Sequence, residues 1–192
     1  MKKILISICL TLATLVSVAQ NSEHLKFKGV PINGTLSEFV KKMQNAGFSF
    51  IGNEDGTSFL RGDFAGFKGC IIGVSTIKNV NVVNSIGVIF PMRETWSDLE
   101  SDYNQLKSML TQKYGEPANV IETFQGLLIN SNDDKLRDLE YDRCTYQTTF
   151  ETKNGDIQLS LEKGDSFQYF VLLKYFDKIN TQTVENAAID DL

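Results

Sequence analysis

The sequence predicts an α+β fold: two helix-plus-antiparallel-β-meander repeats, with the helices packed on one side of a continuous or split antiparallel sheet. Three observations carry this. Two tetrads of Thr, apolar, Ser and acid open helical patterns: Thr35-Leu36-Ser37-Glu38 and Thr95-Trp96-Ser97-Asp98. Each follows a proline by four residues, and Pro31 and Pro91 stand 60 positions apart. Each helical pattern is followed by several strand-like runs, the order of antiparallel α+β chains rather than of strictly alternating ones.

The chain opens with Met1-Lys2-Lys3, a run of 16 uncharged residues from Ile4 to Ala19, and small residues at Ser17 and Ala19. That is the pattern of a secretory signal peptide over residues 1–19, cleaved before Gln20. The run is shorter than the roughly 20 residues that cross a bilayer. Cys9 lies inside it after the bulky Ile8, which does not suit a lipid anchor. The expectation is an exported protein, periplasmic or secreted, with no membrane span after signal cleavage. Cleavage leaves 17 basic and 24 acidic residues, a net charge of −7. Such a chain, without a basic block, is a poor partner for nucleic acid or an anionic membrane.

The first repeat covers residues 20–90. Leu25–Phe27 is strand-like. Thr35 caps a helix of about three turns that places Leu36, Phe39, Val40 and Met43 on one face and stops at Gly47. Strand-like runs follow at Phe48–Ile51, Ser58–Phe64, Gly69–Ile77 and Val80–Phe90, with turns at Asn53–Gly56 and Gly66. The second repeat covers residues 91–179. Its helix carries Trp96, Leu99, Tyr103, Leu106 and Leu110 in alternating steps of three and four. It is about 18 residues long and ends at Gly115-Glu116-Pro117. The spacing marks a core-facing stripe rather than a ligand face. Strand-like runs come next at Asn119–Phe124, Leu127–Ile129, Arg143–Glu151, Asp156–Glu162 and Phe167–Phe176, with a hairpin signal at Asn154-Gly155. The last run is almost continuously apolar and reads as a strand covered on both faces. Asn130–Asp142 is polar and acidic, a long loop or a short helical insertion. Residues 180–192 lose the apolar pattern and read as a flexible tail.

Cys70 and Cys144 survive cleavage. A disulfide between them would close a long loop and stabilise by about 4 kcal/mol. The count equally fits two buried thiols that never meet. A catalytic cysteine lacks a partner, since the one histidine, His24, lies near a chain end.

Phe27–Leu36 with Phe39-Val40, Gly62–Phe67 with Cys70 and Gly73–Ser75, and Val88–Pro91 with Thr95-Trp96 and Lys113–Pro117 resemble a family of small exported Bacteroidetes proteins of unassigned function. The resemblance covers most of residues 25–125. It implies export and a shared fold, with no functional residue to transfer. The duplicated plan is also similar in architecture to the tandem repeats of β-lactamase inhibitor proteins, which implies no activity.

Recognisable chemistry is sparse. Asn130, Asn132 and Asp134 begin like a calcium loop, but Lys135 stands where glycine is needed and Tyr141 where the bidentate glutamate is needed. Asp133, Asp134 and Asp138 read as a solvated polar loop. Arg61-Gly62-Asp63 lies within a strand-like run, where the glycine marks a bulge or turn. There is no phosphate-cradling glycine loop and no nucleophile elbow. The expectation is therefore a non-enzymatic binding module, using a sheet face or strand loops, with no cofactor and no metal. Its partner is a protein, peptide or glycan of unknown identity. Phe64 and Phe67 are the candidate contact residues. The alternatives are a hydrolase with paired carboxylates, or a subunit that self-associates.

Overall fold

Helix α1 (Leu36–Asn45) begins where Thr35 accepts the N–H of Glu38 and the Glu38 carboxylate accepts the N–H of Thr35. Helix α2 (Trp96–Tyr114) begins where Thr95 accepts the N–H of Asp98, and it ends at Gly115 with φ +90°. These are the two N-caps that the tetrads predict. The computed structural model describes residues 23–77, 80–126 and 129–190, so the predicted signal peptide lies outside the described residues.

A short hairpin, β1 (Lys26–Phe27) with β2 (Val30–Pro31), precedes α1. Strands β3 (Ser49–Glu54), β4 (Thr57–Phe64), β5 (Phe67–Thr76) and β6 (Val83–Ile89) follow it as an antiparallel meander. After α2 come β7 (Asn119–Phe124), α3 (Asn132–Glu140), β8 (Cys144–Thr152), β9 (Gly155–Lys163), β10 (Tyr169–Asp177) and α4 (Lys178–Asp190). All strands from β3 to β10 form one antiparallel sheet in the order β3-β4-β5-β6-β10-β9-β8-β7. The sheet is therefore continuous, and β6 against β10 is its central pairing.

One row of paired residues shows how the core forms. Leu60, Ile72, Val88, Leu173, Leu159 and Thr148 lie side by side across six strands, and all are buried. Residues two positions along fall on the same face, and α1, α2 and α3 cover it. Phe39 and Met43 come down from α1, and Trp96, Leu99, Tyr103 and Leu106 from α2. The Tyr103 phenol bonds the Thr148 hydroxyl at 2.6 Å, so that buried polar pair is satisfied.

Several expectations change. Phe167–Phe176 predicts a strand covered on both faces. Strand β10 starts at Tyr169, and α1, α2 and α3 pack on the side bearing Val171, Leu173 and Tyr175, while α4 lies beside Gln158 and Phe176 at one end of the other face. Phe170, Leu172 and Phe176 are half-buried on the other side, supported by neighbouring side chains at the centre of the sheet. Residues 178–190 form α4 instead of a flexible tail, because Asp177 at its start accepts the Asn180 N–H at 2.9 Å. The Asn180 amide then donates to the carbonyls of Ile32 and Val83. Residues 191–192 lie outside the described residues. For Asn130–Asp142 the helical alternative is the one formed: it contains α3, capped by Ser131 with Asp134. Leu127 and Leu128 of the expected short strand lie outside the described residues, and Ile129 belongs to no strand. The cross-link that two cysteines permit is not formed. Cys70 on β5 and Cys144 on β8 are free thiols on strands four places apart, about 19 Å at the usual strand spacing.

Candidate functional site

Phe64 and Phe67, the aromatics singled out by sequence, sit around a half-buried turn and pack inward. The Phe64 ring stacks on Phe27 at 5.0 Å, and the Phe67 ring meets Phe90 edge-on at 5.0 Å. The glycine of Arg61-Gly62-Asp63 sits at a register shift in β4, and a Cβ there would collide with the Phe48 ring. Cys70 and Cys144 are not brought together. Burial pushes both thiols up, that of Cys144 to about 12, which leaves them poor nucleophiles. The calcium-like residues serve structure instead. Hydrogen bonds from Asn130 and Ser131 hold the Asp134 carboxyl below the usual carboxylate range. Asp138 accepts the Gly126 N–H and pairs with Arg143. No cluster of three metal-ligating side chains occurs among the described residues.

His24 departs from its expectation at a chain end. Its Nδ1 lies 3.0 Å from Oδ1 of Asp177, whose other oxygen accepts the Leu25 N–H. Its Nε2 lies 2.8 Å from the Asn33 amide nitrogen. An amide donating to Nε2 leaves the proton on Nδ1, facing the carboxylate. The pair resembles the base and orienting acid of a hydrolase, but an amide occupies the place of the nucleophile. Its work is to fasten residues 24–33 to the start of α4.

Two hollows remain. The first is a groove of about 330 Å³ on the uncovered sheet face. Gly73 and Gly87 pair in register and form its floor, with Phe59 beside one glycine and Leu172 beside the other. Lys174 and Ile89 line it as well. Its rings are half-buried and already packed over the glycines, as side chains commonly are where a sheet lacks them.

The second is a cleft of about 310 Å³ between α3 and the loop from β9 to β10. Two of its three rings are the most exposed large hydrophobic side chains among the described residues, Phe167 at 72% and Tyr141 at 64%. The loop explains Phe167. Gly164 donates to the Gln168 carbonyl at 2.7 Å and closes a five-residue connection. Inside it Ser166 and Phe167 both adopt left-handed backbone, φ +57° and +58°. Among the described residues, three other turns use consecutive left-handed residues, and each ends on glycine: Lys28-Gly29, Asp55-Gly56 and Ala65-Gly66. Here phenylalanine stands where the others have the residue that tolerates the conformation. The strain holds an apolar ring out in water.

The opposite wall is tied to β9 by hydrogen bonds. Lys163 Nζ donates to the carbonyl of Glu140 at 2.8 Å and to Asp142 at 2.7 Å, tying β9 to the end of α3. The Arg143 guanidinium, paired with the buried Asp138, lies 5.2 Å over the Tyr141 ring. Buried Tyr169 lines the cleft from within, its phenol pushed up first by burial, then by the Glu140 charge and by a hydrogen bond to the Glu140 side chain. Oε2 of Glu140 is buried without a hydrogen-bond partner. Asp133 also lines the cleft, and neither it nor Glu140 forms an ion pair among the described residues. Arg137 lines it too but pairs with Asp134.

No family model, curated protein or solved structure matches the chain. The reading of the cleft therefore rests on its own geometry. Sequence reasoning passed over Tyr141, Glu140 and Phe167. The available signal was Asp165-Ser166, a turn pair running directly into an aromatic residue.

Proposed function

We propose that the chain is an exported, non-catalytic binding module that takes its ligand in the cleft between α3 and the β9–β10 loop. One observation carries the reading: Phe167 is held exposed, in left-handed backbone, opposite a second exposed ring on a braced wall. A residue that serves only to close a turn is better made glycine. An exposed ring in strained backbone is what a recognition surface keeps. The volume suits the tip of a small organic ligand, a peptide side chain or a sugar residue. Export rests on the pattern of residues 1–19.

The two-repeat organisation belongs to the same proposal. In each half a threonine-capped helix precedes a four-stranded meander, and the last strands of the two meanders meet in the middle. In this reading α3 is an insertion into the second unit, between its first two strands. The cleft is then a feature of one copy, since the corresponding connection of the first unit, Asp55-Gly56, is a tight turn.

The test uses residues 20–192 and a panel of peptides, glycans and small amines, read by thermal shift. A ligand present at about 100 times its Kd stabilises by about 2.7 kcal/mol, a rise of roughly 5–10 °C for a domain of this size. The expected result is such a rise in the wild type, and none with Phe167→Ala or Tyr141→Ala, while the unliganded proteins melt within a few degrees of one another. Ligands that bind both variants as they bind the wild type overturn the reading.

A further inference from the structure

We infer that the ligand class of this cleft is an organic cation, an alkylammonium or guanidinium group, stacked between Phe167 and Tyr141 and neutralising Glu140 and Asp133. The inference rests on the cleft reading above and deepens it.

The uncommitted charge in the cleft is negative. Arg137 is bound to Asp134, and Lys163 to Asp142 and the Glu140 carbonyl. Glu140 and Asp133 have no ion-pair partner among the described residues, and one oxygen of Glu140 is buried with no hydrogen bond. The Tyr169 phenol lies against the Glu140 carboxyl, and a cation entering the cleft gains Glu140 and Asp133 as charge partners. The second observation is the pair of rings. Aromatic faces attract ammonium and guanidinium groups, and more strongly where a pocket strips water from them. The site already uses this chemistry once, since Arg143 lies over one face of Tyr141. The net charge of −7 left after signal cleavage draws cations toward the protein as a whole. A neutral sugar would use the rings but leave the carboxylates uncompensated. A carboxylate or phosphate ligand would meet repulsion from both.

The cationic group can come from a free amine or from a Lys or Arg side chain of a polypeptide. The experiment separates these. Wild-type protein, residues 20–192, is titrated calorimetrically with butylammonium, with ethylguanidinium, with blocked tripeptides Gly-Lys-Gly and Gly-Arg-Gly, and with neutral chitobiose. The inference expects cation binding that weakens as ionic strength rises from about 0.05 to about 0.5 M. It expects an approximately tenfold loss of affinity in Glu140→Gln, a charge change at constant shape, and a similar loss in Phe167→Ala. Glu140→Gln should melt no lower than the wild type, which separates lost recognition from lost folding. Peptide binding without free-cation binding identifies a polypeptide side chain, and equal binding identifies a free amine; both support the inference. Chitobiose binding that needs Phe167 but is indifferent to Glu140→Gln overturns the cation and leaves the cleft standing. Absence of cation binding up to about 10 mM, roughly −3 kcal/mol at that Kd, also overturns it.

Discussion

At the scale of single residues, Phe167 separates function from stability. Its left-handed backbone is unfavourable for an L-residue by roughly 1 kcal/mol. Phe167→Gly should therefore leave the protein as stable as the wild type or up to about 1 kcal/mol more stable, a gain of roughly 2–4 °C in Tm. The same substitution removes one wall of the cleft and should abolish ligand binding. Calorimetric melting with a binding titration checks both halves. A clear fall in Tm would mean that the ring packs structurally and is not held out for a ligand. This residue also shows where sequence reading stopped. Phe64 and Phe67 attract attention because glycines flank them, yet their rings complete an aromatic cluster with Phe27 and Phe90. Phe167 escapes attention because it extends an apolar run, and periodicity alone assigns it to the strand. A backbone dihedral distinguishes the two cases, and no pattern of side-chain hydropathy encodes it.

At the scale of elements, α1 and α2 were legible because capping is local. A threonine and an acid three residues on make their bonds within one turn, so spacing reveals them. Helix α4 was not legible because its start is held by partners far along the chain. Asp177, fully buried, lies against His24 and accepts the N–H groups of Leu25 and Asn180, and the first two are about 150 residues away. The carboxylate thus staples β1, β10 and α4 together. Asp177→Ala strips the acceptor from all three groups and should lower unfolding free energy by about 3 kcal/mol. Thr95→Ala, at an exposed cap, should lose only about 1 kcal/mol. Urea titrations of the two variants measure the contrast. Equal losses would mean that the N-terminal segment contributes little to the fold.

At the scale of the whole molecule, the sheet decides whether the two meanders make one unit or two. The sequence allowed either, because helix faces and strand alternation describe each half separately and say nothing of which strand edges meet. The β6–β10 pairing answers it: Leu172, Leu173 and Lys174 sit opposite Ile89, Val88 and Gly87 in unbroken register. Buried side chains from both halves form a single core cluster, from Phe39 and Ile72 to Leu159 and Phe150. Neither half can leave without exposing a long apolar strand edge at the middle of the sheet. Unfolding should then be one cooperative step. Trp96 allows a direct check, being the one tryptophan and lying wholly within the second half against Phe124 and Tyr146. Its fluorescence reports on that half, while far-ultraviolet circular dichroism reports on both. The two signals should give the same urea midpoint and slope. A fluorescence transition displaced from the dichroism transition would show that the halves come apart in turn, and that the central pairing is weaker than the meanders it joins.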